Sequence, residues 1–324
     1  MQQEIRFATF NAFNLAPAGA KLYDNLLPCT QAQFEEKVDW TARQIDLLDA
    51  DVIGFQEIFS QAALKLALSR TRNYQHAFHV GFDPDPSCER LTPSVALVSR
   101  LPLAAPGVAH ALFPPGVAMP PDSREPDRFA RPVVHAQVLV SPELSVDVMV
   151  VHLKSKRPDY RTGDSGDDAQ QYALACLRSL VRRGTEAVAL RVLLSNLARG
   201  AQRARVVLGD FNDVADAVTT GIVQGIGAPQ GERLFDAYQL QRWPDPLRHV
   251  GFSNLHDGRY TTIDHILVSE HFNGALPNAI GEVIDVIYLN DHLVLALAPA
   301  SDHGQVLARI RLFDEAHGLM DAGV

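Results

Sequence analysis

The sequence predicts an α/β (α+β) fold in which two mixed β-sheets pack on each other and helices flank them. Three observations lead there. Short runs of branched apolar residues outnumber the helical stretches, so strands are in the majority. Tight connections such as Ser141-Pro142-Glu143 alternate with segments long enough for a helical crossover, so antiparallel and parallel pairs must coexist. Polar clusters also recur where apolar strands stop, as in Val206-Val207-Leu208-Gly209-Asp210-Phe211-Asn212, and strand ends are where an open α/β sheet presents side chains to a ligand.

The elements follow in order. A buried strand over about 4–10 leads to a helix over about 30–49, where Phe34, Val38, Thr41, Ile45 and Leu48 share one face at helical spacing. Asp51 to Glu57 returns as a strand, and a second helix is expected over about 60–69, with strands near 75–82 and 94–99. Residues 106–130, rich in proline and containing Asp122-Ser123-Arg124-Glu125-Pro126-Asp127-Arg128, read as a surface excursion. Two strands at about 132–140 and 144–151 come next, then a loop at 153–168 that is basic in its first half and acidic in its second. A helical region over about 168–199, broken near Gly184, leads into the Asp210 strand. A helix at about 214–225 and strands near 249–254, 259–268, 282–289 and 304–313 complete the chain.

Composition narrows the function classes. The polar clusters run from residue 11 to residue 303 with no low-complexity linker, so the 324 residues read as one catalytic domain, 1–324. Cys29, Cys88 and Cys176 are odd in number and widely spaced, which fits reduced, structural thiols. Strand one begins almost at the N-terminus and no apolar run approaches the roughly 18–20 residues of a membrane span, so a cytoplasmic protein without a transmembrane segment is expected. The net charge of −9 argues against tight general DNA binding, which depends on lysine and arginine neutralising phosphates.

Six strand-end clusters form one constellation: Thr9-Phe10-Asn11, Gly54-Phe55-Gln56-Glu57, Val150-Val151-His152, Gly209-Asp210-Phe211-Asn212, Thr262-Ile263-Asp264-His265 and Ser301-Asp302-His303. Their carboxylates and amides suit a hard divalent cation, magnesium (Mg2+), with manganese (Mn2+) as a substitute, and no cysteine–histidine pattern competes for zinc. Magnesium keeps several waters and leaves room for a substrate phosphate, so histidines nearby point to metal-assisted phosphoester hydrolysis.

In this order the clusters resemble the endonuclease/exonuclease/phosphatase superfamily of DNase I-like enzymes, most closely its bacterial nuclease-type members, over nearly the whole chain. The resemblance implies a four-layer α/β/β/α sandwich. It implies Glu57 as principal metal ligand, with Asn11 and Asp302 near the ion, and Asp210 orienting or deprotonating the attacking water with help from Asn212. It further implies that His303 donates to a phosphoryl oxygen while Asp264 holds its other ring nitrogen, and that His152 protonates the leaving oxygen or binds the phosphate. Histidine at 152 and Phe13 after Asn11 point away from the AP endonuclease branch.

Each residue also has a plainer explanation. Asn11 and Asn14 alone would satisfy a turn, Glu57 would favour a helix start beside a Ser60 cap, and His265 reads as a buried, bonded histidine. Asp291-His292 imitates Asp302-His303; the later pair is preferred because Ser301 precedes it and the apolar run Val306 to Phe313 follows. Lys154, Lys156, Arg157 and Arg161 either grip substrate phosphates or are neutralised by Asp164, Asp167 and Asp168. Arg124, Arg128 and Arg131 read as solvated. The leading expectation is a magnesium-dependent nuclease acting on DNA or RNA, with Asn11, Lys154 and Arg157 touching substrate. The alternatives are a hydrolase of a small-molecule or lipid head-group phosphoester and a catalytically silent binding protein.

Overall fold

The computed structural model describes residues 3–83, 90–121, 123, 125–227, 231–242, 251–295 and 299–313. The chain begins with β1 (Glu4–Leu15), α1 (Gln31–Leu48), β2 (Val52–Ile58), α2 (Gln61–Ser69), β3 (Phe78–Gly81) and β4 (Ser94–Ser99). β5 (Val108–Leu112), β6 (Arg128–Leu139), β7 (Ser145–His152), α3 (Ala169–Gly200) and β8 (Ala204–Asp210) follow. It continues with α4 (Val218–Gln224), β9 (Leu234–Asp236), α5 (Ala237–Leu240), β10 (Asn254–His256), β11 (Arg259–Thr261) and β12 (Asp264–Ser269). It closes with β13 (Gly281–Leu289), α6 (Asp291–Leu295) and β14 (Gln305–Leu312).

The strands form two six-stranded sheets, ordered β13-β14-β1-β2-β4-β3 and β5-β6-β7-β8-β12-β9, with β10 and β11 a separate hairpin. Each sheet is built on one parallel pair, β1 with β2 and β7 with β8, and the flanking pairs are antiparallel. Side-chain alternation then assigns the layers. Ile5, Phe7, Val52 and Leu97 of one sheet meet Val148, Val150, Val206, Leu208 and Ile266 of the other. Ala8, Phe10 and Phe55 face outward onto Phe34, Val38 and Ile45 of α1, while Met149, Val151 and Val207 face Ala187, Leu190 and Leu194 of α3. Both faces of each central strand are therefore covered, which is why β4, β7 and β8 are buried almost throughout. The result is the expected α/β/β/α sandwich. Among the described residues no helix is long and apolar enough to cross a membrane.

Local chemistry sets the boundaries. Thr30 caps α1 in a reciprocal capping box with Gln33, and Asp49 ends the helix in the left-handed conformation. Ser60 caps α2 by accepting from Ala63 N–H, and Asp168 caps α3 by accepting from Gln170 and Gln171 N–H. The face expected of α1 is the one it buries. The turn between β6 and β7 is closed by Ser141 Oγ, which accepts from Leu144 N–H at 3.1 Å.

Several expectations need correction. Gly184 does not break α3, which runs unbroken for 32 residues because its buried face continues on both sides of the glycine. The excursion at 106–130 contains β5, an edge strand paired with β6, and β6 itself begins four residues before the expected start, at Arg128. The strand expected over 259–268 is two strands that belong to different sheets, separated at Thr262-Ile263. Residues 249 and 250, with Cys88, Asp122 and Arg124, lie outside the described residues; β10 starts at Asn254. Cys29 and Cys176 are free thiols, as expected.

Candidate active site

Parallel strands bring their C-terminal ends to the same edge, and an antiparallel neighbour brings its N-terminal end there. In the first sheet Asn11 lies opposite Gln56, one residue before Glu57, and Asp302 and His303 precede β14 alongside. In the second sheet His152 lies opposite Asp210, and Asp264 opens β12 directly across from Asp210. Asn11 Nδ2 joins the two halves by donating to Asp210 Oδ2 at 3.1 Å.

Asp210 is at the centre. Its Oδ1 accepts from Asn212 N–H at 2.8 Å, and its Oδ2 lies 3.3 Å from His152 Nε2 and 3.9 Å from His303 Nε2. Burial and the like charge of Asp264 push its carboxyl up to about 7. His303 Nδ1 bonds Asp264 Oδ2 at 2.8 Å, and Ser253 Oγ donates to the same oxygen at 2.6 Å. This pair sets the tautomer and leaves Nε2 directed toward Asp210 and Asp302, whose Oδ1 is 4.0 Å away. Burial opposes a charge on His303, but Asp264 and then Asp210 outweigh it and hold the imidazole well above its usual range. Ser301 ties the segment down: its Oγ donates to Asn11 O and accepts from His303 N–H.

Glu57 approaches from β2 with its Oε2 accepting from Asn14 N–H at 3.1 Å. Burial and nearby Asp302 raise its carboxyl, only partly opposed by His303. Glu57 and Asp302, near enough for the second to raise the first, with Asn11 on the strand beside Glu57, offer the hard oxygen donors a divalent cation takes. Asp210, Asp264 and His303 also place donor atoms within 4.8 Å of one another. Asp264 Oδ2 is taken by His303 and Ser253, its Oδ1 is buried without a partner among the described residues, and His303 Nε2 stands 3.9 Å from Asp210; Glu57 and Asp302, which make fewer such bonds, fit the cation better.

The backbone is strained where these side chains emerge. Six described non-glycine residues have positive φ, and four of them, Phe13, Asn14, Glu57 and Asn212, lie at this site, which marks it as a place where geometry outweighs local preference. Gly209 has φ 150°, and a Cβ there would meet Val151 O at 2.0 Å, so only glycine lets β8 run this close to β7 before Asp210.

Arg131 is the residue that pattern reasoning set aside as solvated. From β6 its Nη2 reaches His152 Nε2 at 2.8 Å. Arginine has no acceptor, so Nε2 must be the acceptor and His152 is neutral with its proton on Nδ1. Burial, then Arg131 and His303, hold its pKa far below the ordinary value. No ion pair to Arg131 occurs among the described residues, which leaves a cation at the site for a phosphate. The only signal in the sequence was an arginine next to a strand; the strand's early start was hidden by the prolines around it.

The other expected residues are placed less centrally. Asn212 Nδ2 donates to Leu153 O, beside Asp210. Lys154 Nζ donates to Ser155 O and Arg157 O, while Arg157 itself is exposed. Lys156 pairs with Asp213 at 2.8 Å, which also takes Arg183, whereas Asp164 pairs with Arg178. Lys156 is thus neutralised from outside the loop's own acidic half, whereas Arg161 N–H bonds Asp164 within it. Glu186 of α3 braces it by accepting from Ala130 N–H and Lys154 N–H. His265 bonds Asp236 and Asp213 O in the core. His292 of the rival pair supports the site from behind, bonding His303 O at 2.9 Å.

The profile of the Endonuclease/Exonuclease/phosphatase family matches residues 8–303, and the chain belongs to that family of metal-dependent phosphoester hydrolases. Among solved structures, an endonuclease/exonuclease/phosphatase family protein from Bacteroides thetaiotaomicron is 17% identical, with TM-score 0.60 over 99% of both chains. A mannosyl-6-phosphatase of the same organism is 16% identical, with TM-score 0.58 over 94% of this chain and 99% of that one. ANGEL2, a 2′,3′-cyclic phosphatase, is 14% identical, with TM-score 0.59 over 96% of each. At these identities the likeness is one of fold. No curated protein matches the sequence.

Proposed function

We propose that the protein is a magnesium-dependent phosphodiester hydrolase whose substrate is nucleic acid. The observation that carries the hydrolytic part is the Asp264–His303–Asp210 relay with Arg131 beside it: a carboxylate able to take a proton near neutral pH, next to two cations. Glu57, Asp302 and Asn11 would hold the cation, which supplies charge neutralisation at the phosphoryl group. Asp210, kept in place by Asn11 and Asn212, accepts the proton of the attacking water. His303, fixed by Asp264, donates from Nε2 to a phosphoryl oxygen, and Arg131 binds a second. His152, neutral and accepting from Arg131, orients that guanidinium; at Nε2 it holds no proton, so as the ester P–O bond breaks the leaving oxygen takes its proton from water.

Nucleic acid is supported by the nuclease-like spelling of the Asn11 and Asp210 motifs. A small phosphoester is the second reading, favoured by one observation: Lys154 and Lys156, the cations nearest His152 in sequence, are already bonded within the protein. The names of two proteins of similar fold, mannosyl-6-phosphatase and 2′,3′-cyclic phosphatase, agree with it. Hydrolysis with magnesium should be measured on single- and double-stranded DNA and RNA, on sugar phosphates and on a chromogenic phosphodiester. Polynucleotide cleavage that falls roughly 10²–10⁴-fold in Asp210→Ala is expected. Intact polynucleotides with turnover of the small esters would transfer the assignment to the second reading.

A further inference from the structure

Phe13 is unused by the relay, yet the chain strains to display it. Phe13 and Asn14 have φ 51° and 59°, a conformation residues with a Cβ rarely adopt. Two bonds hold them there: Phe13 N–H donates to Asn11 Oδ1, and Asn14 N–H to Glu57 Oε2, both at 3.1 Å. The strained step thus hangs from the proposed cation ligands themselves. It leaves Phe13 37% exposed directly after a stretch, Phe7 to Ala12, that is wholly buried.

Beside the ring lies a cavity of about 390 Å³ walled by Phe13, Asn14, Leu22, Leu26, Leu27 and Phe34. Its outer wall is apolar although it faces solvent, with Leu26 44% and Leu27 89% exposed. The wall is built in advance. Leu22 and Ala16 pack on Phe59 in a small core of their own, and Gly19 N–H bonds Cys29 O across the loop. Lys37 closes the inner end: its Nζ donates to Pro299 O at 3.0 Å and stands 5.5 Å from the centre of the Phe13 ring, so it occupies one face of that ring.

We propose that this cavity is a substrate subsite, which takes a flat aromatic substituent of the phosphoester, a nucleobase or aryl ring, while the phosphoryl group lies at Asp210, His303 and Arg131. Its continuity with the active site argues for substrate, since Asn14 both lines the cavity and bonds Glu57. The exposed phenyl ring and the leucines lining the same cavity argue for a flat apolar group that stacks on Phe13 and is covered by Leu26 and Leu27. The volume lies in the range of small-molecule sites, roughly 300–1,000 Å³.

The inference rests on the phosphoester reading, so the test separates the two. Phenylphosphonate, methylphosphonate and hexylphosphonate are titrated calorimetrically into wild type with magnesium, and into Leu27→Ser and Phe13→Ala. Phenylphosphonate should bind about ten-fold more tightly than methylphosphonate in wild type, and the gap should narrow in both variants. Leu27 is almost wholly exposed, so its replacement leaves the fold intact. Equal binding of phenyl and methyl, a gap untouched in both variants, or tighter binding of hexyl than phenyl would overturn the aromatic subsite while leaving the hydrolase. Absence of binding by all three would overturn both.

Discussion

Asp147 and Asp210 are each 1% exposed on neighbouring strands, yet their carboxyls shift in opposite senses. Burial raises both carboxyls. In Asp147 it is outweighed by His135, whose Nε2 lies 2.9 Å from one oxygen, and Arg203, whose Nε donates to the other at 2.9 Å, so the net shift is downward. In Asp210 the nearest cation stands 3.9 Å off and Asp264 adds a like charge, so the shift is upward. The first arrangement serves stability, and the second suits the proton transfer proposed for Asp210. Because Asp147's folded pKa lies below its unfolded value of about 3.9, its stabilisation is present above that value and is lost as pH falls through the folded one. Asp147→Asn should cost about 3 kcal/mol at neutral pH and lessen the acid sensitivity of unfolding, read from urea midpoints between pH 7 and pH 3; an unchanged midpoint at pH 7 would remove Asp147 from the account. Residues such as Asp210 were legible in sequence because a carboxylate ending an apolar run has few structural reasons to be there. Arg131 was not, since a cation in a proline-rich stretch looks the same whether it faces solvent or a buried histidine.

At the scale of elements, strands with both faces covered were easiest to place, because a continuous apolar run has one structural meaning in this composition. β4 coincides with its expected bounds, and β8 was recognised by its branched residues. β5 and β9 were missed. One is an edge strand with exposed ends and only half-buried residues between them, and the other is three residues long, so their pairing depends on neighbours distant in the chain. α3 shows the opposite error, in which a local preference was given too much weight. Gly184 lowers helix propensity, but Arg182, Arg183, Glu186 and Ala187 around it are all buried, and tertiary contacts carry the helix through. That continuity matters for the site, since Glu186 reaches from α3 to the backbone beside Arg131 and to Lys154. A Cβ at position 184 would meet nothing within 4 Å. Gly184→Ala should therefore stabilise the protein by up to about 1 kcal/mol, seen as a higher melting temperature with unchanged turnover. A lower one would mean that α3 needs the glycine's freedom.

For the whole molecule, the decisive property is the spacing between the sheets. Asn11, Glu57, Asp302 and His303 come with the first sheet and His152, Asp210 and Asp264 with the second, so the relay exists only while the two are in register. We propose on the same ground that residues 1–324 act as one unit. At Gly54 the sheets approach too closely for a side chain: a Cβ there would meet Leu208 Cδ1 at 2.0 Å and both γ carbons of Val150 at 3.0 Å. Gly54 lies three residues before Glu57 and Leu208 two before Asp210, so a wedge between them displaces the proposed cation ligand from the proposed proton acceptor. Gly54→Ala should cost about 1–3 kcal/mol through overpacking. Its hydrolytic rate should fall further than that loss of stability explains, because a misplacement of about 1 Å can cost on the order of 10²-fold in rate. Adding Leu208→Val removes the Cδ atom in the way. The double variant should recover turnover relative to Gly54→Ala, measured well below both melting temperatures so that every molecule compared is folded. Recovery of stability without recovery of rate would show that the sheets tolerate the wedge and that the site is assembled by the strand-end loops instead.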